Sequence, residues 1–201
     1  MPAGDFFRSL GLFVVKDFFD GVWCEHLRRE ASSAPKSRAT VAKKSLERLD
    51  EGVRKTKWAG LSTPTIAAVR ARLLAVKPRL ERHFNVTLAG CEEPQFLAYK
   101  AGDFFRLHRD NADDPDASAY VRERQVSAVI FLNSAADARG PGAYGGGTLT
   151  FYGLIDDPCW RGYGFPLDGE QGLFIAFRSD VLHEVTVVTG GERYSIVTWF
   201  F

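Results

Sequence analysis

"RYSIVTWFF" occupies residues 193–201. Its β-branched and aromatic content marks it as a strand. Side chains on a strand alternate between faces, so Arg193, Ser195, Val197 and Trp199 share one. Val197 and Trp199 suit an interior, which turns Arg193 inward too. A buried guanidinium is costly unless an anion meets it. A dicarboxylate ligand would supply that anion through a bidentate pair.

Six runs of similar texture precede this one: "PQFLAYK" (94–100), "FFRLHRD" (104–110), "QVSAVIFLN" (125–133), "GTLTFYG" (147–153), "GLFIAF" (172–177) and "LHEVTVV" (182–188). Each is short, rich in Val, Ile, Phe, Tyr or Thr, and bounded by turn residues. Together they predict an antiparallel sandwich or barrel. The glycines of "GPGAYGGG" (140–147) read as a turn between strands. No Lys-Ser/Thr and no helix pattern follow them, so they are not a phosphate loop.

The first part of the chain reads differently. "GLFVVKDFF" (11–19) predicts a short strand, and Asp20 can cap a helix through "GVWCEHLRREASS" (21–33). Residues 34–62 are basic and weakly periodic, which predicts a long loop. Thr63 and Pro64 signal the start of a second helix. Ile66, Val69, Leu73, Val76, Leu80 and Phe84 then form one apolar stripe along it, with Pro78 off the stripe and able to kink it.

Composition bounds the function. With 45% apolar and 25% charged residues, the 201-residue chain reads as globular, and its length suits one core. A net charge of +1 gives no electrostatic case for nucleic acid as the main partner. No run approaches the roughly 20 apolar residues that span a bilayer. The N-terminal sequence lacks a signal-peptide pattern. Cys24, Cys91 and Cys159 are scattered, which argues against a disulfide framework or a thiolate zinc site. A cytoplasmic setting is expected.

His108 and Asp110, two apart on one strand, point the same way. Alone, such a pair is commonly a surface ion pair. His183, on a late strand, could complete a 2-His-1-carboxylate set, which leaves open positions on a non-haem iron. His26 and His83 fall in helical segments and read as partly exposed helix residues.

With Arg193 added, the sequence resembles the Fe(II)- and 2-oxoglutarate-dependent dioxygenases. "YKAGDFFRLHRDN" (99–111), "VSAVIFLN" (126–133), "GGGTLTFY" (145–152), "SDVLHEV" (179–185) and "RYSIVTWFF" are most similar to prolyl hydroxylases of the hypoxia-sensing type and their bacterial relatives. The resemblance implies an α+β, mainly β fold: a double-stranded β-helix, or jelly roll, with supporting N-terminal helices. It implies a single domain over residues 1–201, with support in 1–91 and the jelly-roll core in 92–201. It implies that His108, Asp110 and His183 bind iron and that Arg193 pairs with the distal carboxylate of 2-oxoglutarate. Tyr99 matches a cosubstrate-pocket tyrosine. A second family tyrosine is replaced by Phe131, which cannot donate a hydrogen bond, so either Ser195, Tyr99 or a water takes over that contact or cosubstrate binding is weaker. The implied reaction consumes dioxygen and 2-oxoglutarate, with ascorbate as a supporting reductant, and hydroxylates a prolyl residue of a protein or peptide. A free amino acid or other small molecule as substrate, or a non-catalytic sensor barrel, are the alternatives. "DEGVRKTKW" (50–58) is similar to the substrate-covering loop of those enzymes, which makes residues 35–58, with Trp58, the expected lid over a peptide.

Overall fold

The computed structural model of the chain describes residues 3–38, 41–43, 46–48, 52–111, 118–136 and 142–201. The first part holds α1 (Ala3–Ser9), β1 (Phe13–Val15) and α2 (Gly21–Ser33). Five short strands follow: β2 (Lys36–Arg38), β3 (Val41–Lys43), β4 (Leu46–Arg48), β5 (Arg54–Lys55) and β6 (Lys57–Ala59). Then come α3 (Thr63–Phe84), β7 (Gln95–Lys100), β8 (Phe104–His108), α4 (Ala119–Arg122) and β9 (Val126–Phe131). The last part holds β10 (Tyr144–Gly146), β11 (Leu149–Tyr152), β12 (Gly164–Leu167), β13 (Phe174–Arg178), β14 (Leu182–Val185) and β15 (Val188–Phe200).

The large sheet runs β1-β13-β9-β15-β7-β6-β2, with β10 also on β15; the small one runs β12-β11-β14-β8-β5. Every ladder is antiparallel. The predicted antiparallel β architecture is therefore present.

Strand alternation explains why the large sheet is buried on both faces. Ala128, Ile130, Phe174, Ala176 and Ile196 point to one core, shared with Leu27 of α2 and Leu73 and Leu80 of α3. Val129, Phe131, Ile175 and Phe177 point to the other, shared with Leu149, Phe151 and Val185 of the small sheet. The helices cover the outside, so β9 reads as an unbroken apolar run rather than an alternating one.

The stripe on α3 holds: Val69, Leu73, Val76 and Leu80 are buried, and Ile66 and Phe84 pack against the same core. Asp20 caps α2 by accepting from the Trp23 backbone N–H at 2.7 Å. Ser62 rather than Thr63 is the cap of α3, and Thr63 is its first residue. Thr65 instead ties that end to α2, donating to Glu30 at 2.7 Å.

Two expectations are corrected. Residues 34–62 are not simply a loop. Arg54–Lys55 extends the small sheet beside β8, and Lys57–Ala59 extends the large one beside β7. Backbone pairing with strands already in place overrides the weak local signal. The turn expected in "GPGAYGGG" contains β10, which pairs with β15 through Tyr144↔Gly191. The strand β12 carries Gly164 and Pro166, which read as breakers. It lies at the edge of its sheet, where a missing N–H does no harm.

Leu73 is fully buried on the α3 stripe. Leu73→Ala is expected to cost ~3 kcal/mol, as for other buried leucines. Urea unfolding followed by circular dichroism reads this as a lower midpoint with an unchanged slope.

Candidate active site

Strand pairing builds the site. His183 of β14 lies directly opposite His108 of β8 in the antiparallel register. Side chains directly opposite on one face are neighbours, so the two rings meet with centroids 4.2 Å apart. Strand β8 ends at His108, and Asp110 lies in the bend beyond it. Its backbone N–H donates to the Ser179 carbonyl at 2.9 Å, which holds the bend against the strand β13 side of the barrel. The ligand-capable atoms of His108, Asp110 and His183 all lie within 4.8 Å of one another.

Each imidazole is oriented from behind. His108 Nδ1 is 2.7 Å from the Arg106 carbonyl, and His183 Nδ1 is 2.9 Å from the Val181 carbonyl. A carbonyl only accepts, so in the neutral rings Nδ1 carries the proton and Nε2 keeps its lone pair. Both Nε2 atoms face Asp110, each 3.5 Å from one of its oxygens. Phe105 stacks on the His108 ring at 3.6 Å, and Phe177 meets His183 edge-on at 4.8 Å.

Burial opposes ionisation of Asp110, but the imidazoles, His183 foremost, and Ser127 outweigh it and hold the carboxyl well below the usual carboxylate range. Burial pushes His183 down to about 4, with His108 acting the same way and Asp110 against it. The two shifts compete, since the strongest pull on Asp110 needs a protonated imidazole. An ionised Asp110 beside a neutral His183 at neutral pH satisfies both directions. Three acceptors then converge with no hydrogen between them, and a divalent cation is the group that fits such a donor set.

A cavity joins this cluster to Arg193 and is lined by Tyr99 and Ser195 as well. Arg193 is 1% exposed, yet among the described residues it has no carboxylate partner. Its Nη1 donates to Ser195 Oγ at 2.9 Å. The guanidinium carbon stands 5.1 Å from the Tyr99 ring centre and 5.0 Å from that of Phe131. Tyr99 is opposite Arg193 in the β7–β15 register, and Phe131 is opposite Ser195 in the β9–β15 register. The face shared by Arg193, Ser195, Val197 and Trp199 lines the cavity in full.

Family comparison gives this geometry its context. The family model of the 2OG-Fe(II) oxygenase superfamily matches residues 94–201. The chain belongs to that superfamily. A PKHD-type hydroxylase of Psychrobacter sp. is 35% identical over 109 residues, covering 53% of this chain and 36% of the relative. One of Nitrosomonas europaea is 34% identical over 134 residues, covering 65% and 53%. The chain thus spans about a third to a half of these curated relatives. Among solved structures, a Trichoplax adhaerens prolyl hydroxylase bound to a hypoxia-inducible-factor peptide superposes with a TM-score of 0.75 at 18% identity, over 98% of this chain and 86% of that one. A Pseudomonas putida prolyl-4-hydroxylase gives 0.65 at 23%, over 98% and 95%. The likeness carries the fold, the jelly roll of these oxygenases, and iron and 2-oxoglutarate are the cofactors of the superfamily.

His26 and His83 lie away from the cluster on α2 and α3, as expected; His26 faces Glu30 at 3.6 Å. The lid reading falls partly outside the described residues, at 39–40, 44–45 and 49–51. Trp58 is built into the large sheet opposite Leu97 rather than carried on a loop tip. Two further arginines stand at or beside the cavity, in places the sequence reading did not assign them. Arg54 is 7% exposed, lines the cavity and lies 4.7 Å over the Phe105 ring. Arg124 holds Glu92 with two bonds of 2.5 and 2.8 Å, stacks on Trp199 at 3.7 Å and donates to the Asp110 carbonyl at 3.2 Å. Only pairing across sheets brings these residues to the site, so no local motif announces them.

Asp110→Ala is expected to abolish binding of Co(II), read by its visible spectrum, while far-ultraviolet circular dichroism stays unchanged. The pH dependence has a fixed sign. His183 holds its proton less readily when folded than the ordinary 6.5. The unfolded chain therefore takes up protons first as pH falls, and that contribution to stability is lost between about 6.5 and about 4. Urea midpoints of the metal-free protein across this window should fall, and fall less in His183→Gln.

Proposed function

We propose that the chain is an Fe(II)- and 2-oxoglutarate-dependent dioxygenase that hydroxylates a prolyl residue within a protein or peptide. The observation that carries this reading is the acceptor-only cluster of His108, Asp110 and His183 sharing one cavity with a buried arginine. Residues 1–201 would act as one oxygenase domain, with the helices as support, in the cytoplasm. Among the described residues, no helix is long and apolar enough to cross a membrane.

His108, Asp110 and His183 would hold the iron and leave its other positions to non-protein ligands. Arg193 would take the distal carboxylate of 2-oxoglutarate, with Ser195 beside it and Tyr99 packed along it. Bound iron and 2-oxoglutarate would supply an oxidant able to hydroxylate an unactivated C–H bond, with release of succinate and carbon dioxide. Leu97, Val129, Leu149, Val185 and Val197 line the same space and would keep water from it.

Support for an extended substrate comes from beyond the cavity. Val197 pairs with Gln95, and Gln95 lines a second hollow together with Trp58, Glu92 and Glu93. Trp58 Nε1 and Gln95 Oε1 are both buried without a hydrogen-bond partner among the described residues. One donor and one acceptor suit a peptide group. The relatives named as PKHD-type hydroxylases, and the peptide-bound Trichoplax enzyme of similar fold, point the same way.

Incubation of the purified protein with Fe(II), 2-oxoglutarate and lysate proteins should release succinate and add one oxygen to proline, read by mass spectrometry. Oxygen appearing only on free amino acids would remove the prolyl part of the reading. His108→Ala should form no succinate. Arg193→Ala should weaken 2-oxoglutarate by ~2–5 kcal/mol, the scale for one member of a buried charge pair, in calorimetric titration, while metal binding survives.

A further inference from the structure

The anion cradle has one more polar group than the sequence motif supplies. Tyr144 is fully buried, and among the described residues its hydroxyl has no acceptor to donate to. Arg193 Nε is in the same state. The two side chains are neighbours. Strand β10 pairs Tyr144 with Gly191, two positions before Arg193 on β15. A Cβ added at Gly147 would lie 3.0 Å from Arg193 Cδ and 3.4 Å from Tyr144 Cε2. A Cβ added at Gly169 would lie 2.1 Å from Tyr144 Oη and 2.5 Å from Phe131 Cδ1. The phenol hydroxyl and the edge of Phe131 therefore meet over a position where only glycine leaves room.

The groups facing that hydroxyl are the Arg193 guanidinium and the Gly169 N–H, which are donors, and Asp168. Asp168 is exposed at the surface, and its carboxylate accepts from Thr148 at 3.2 Å. Burial pushes the phenol's pKa up, with Arg193 opposing, so the hydroxyl keeps its proton at neutral pH. A buried donor left without an acceptor is costly, and an acceptor brought by a ligand would remove that cost. Phe131, whose ring faces the same guanidinium, has no donor to offer.

We propose that Tyr144 donates its hydroxyl to the distal carboxylate of 2-oxoglutarate, beside Arg193 and Ser195, as a positioning residue for the cosubstrate. This rests on the oxygenase reading. The carboxylate has acceptor sites enough for the guanidinium fork and two hydroxyls. Tyr144 comes from a different strand than Phe131, so the cradle is completed from β10 rather than from β9. Gly147 and Gly169 are then parts of the cradle, because each clears space for the phenol or for its arginine neighbour.

The test is calorimetric titration of the Mn(II)-loaded full chain with 2-oxoglutarate. Tyr144→Phe should weaken binding about tenfold or more, the scale of one hydrogen bond to a charged group, with Mn(II) affinity unchanged. Gly169→Ala should weaken it too, by crowding the hydroxyl. 2-Oxobutyrate, which lacks the distal carboxylate, should bind the parent protein and Tyr144→Phe alike. Equal 2-oxoglutarate affinity in parent and Tyr144→Phe overturns the proposal. So does an equal loss for 2-oxobutyrate, which would mean a general disturbance of the pocket. A parent protein that binds Mn(II) but no 2-oxoglutarate overturns the oxygenase reading itself, a distinct result.

Discussion

A guanidinium buried without a carboxylate partner among the described residues is the constraint around which the barrel interior is arranged. Arg193 stands on the longest strand, in the middle of the large sheet. Taking it out of water is unfavourable unless charge and hydrogen bonds return the loss. The protein returns part through Ser195 and through two aromatic faces. The rest is left for an anion to supply. Binding and folding thus draw on the same unsatisfied charge, and occupancy of the cavity should stabilise the sheet that carries it.

The metal cluster follows a parallel logic with the sign reversed. There the protein gathers lone pairs and leaves out the cation. Both imidazoles are fixed by carbonyls two residues earlier in the chain, so their outward lone pairs are set by backbone geometry rather than by the ion. Arg124 extends the same economy one step further, bracing the Asp110 carbonyl while tied to Glu92 and stacked on Trp199.

Much of this was legible in the sequence. The seven strand-like runs follow from composition and bounding turn residues, the α3 stripe and the alternation in "RYSIVTWFF" from period, and all three survive in the structure. His108, Asp110, His183 and Arg193 border one cavity, although Asp110 reaches it from a bend past the end of β8 rather than from the strand face read in the sequence. What escaped was set by pairing across distance. Arg54, in a stretch that reads as a loop, is buried because β5 docks on β8. Tyr144 looked like part of a glycine turn because its strand has no β-branched residues. Trp58 was expected on a lid and lies in a sheet, since a backbone edge beside β7 was there to be filled.

The direct pairing of His108 with His183 has a consequence for how the protein matures. The two residues are far apart in the chain and meet only once β8 and β14 lie in one register. A slip of one residue would send one ring to the opposite face. A partly folded chain therefore offers isolated imidazoles and no complete donor set. A donor set able to hold a metal ion exists only in molecules whose small sheet has zipped in this register, so assembly of the set reports on the finished barrel.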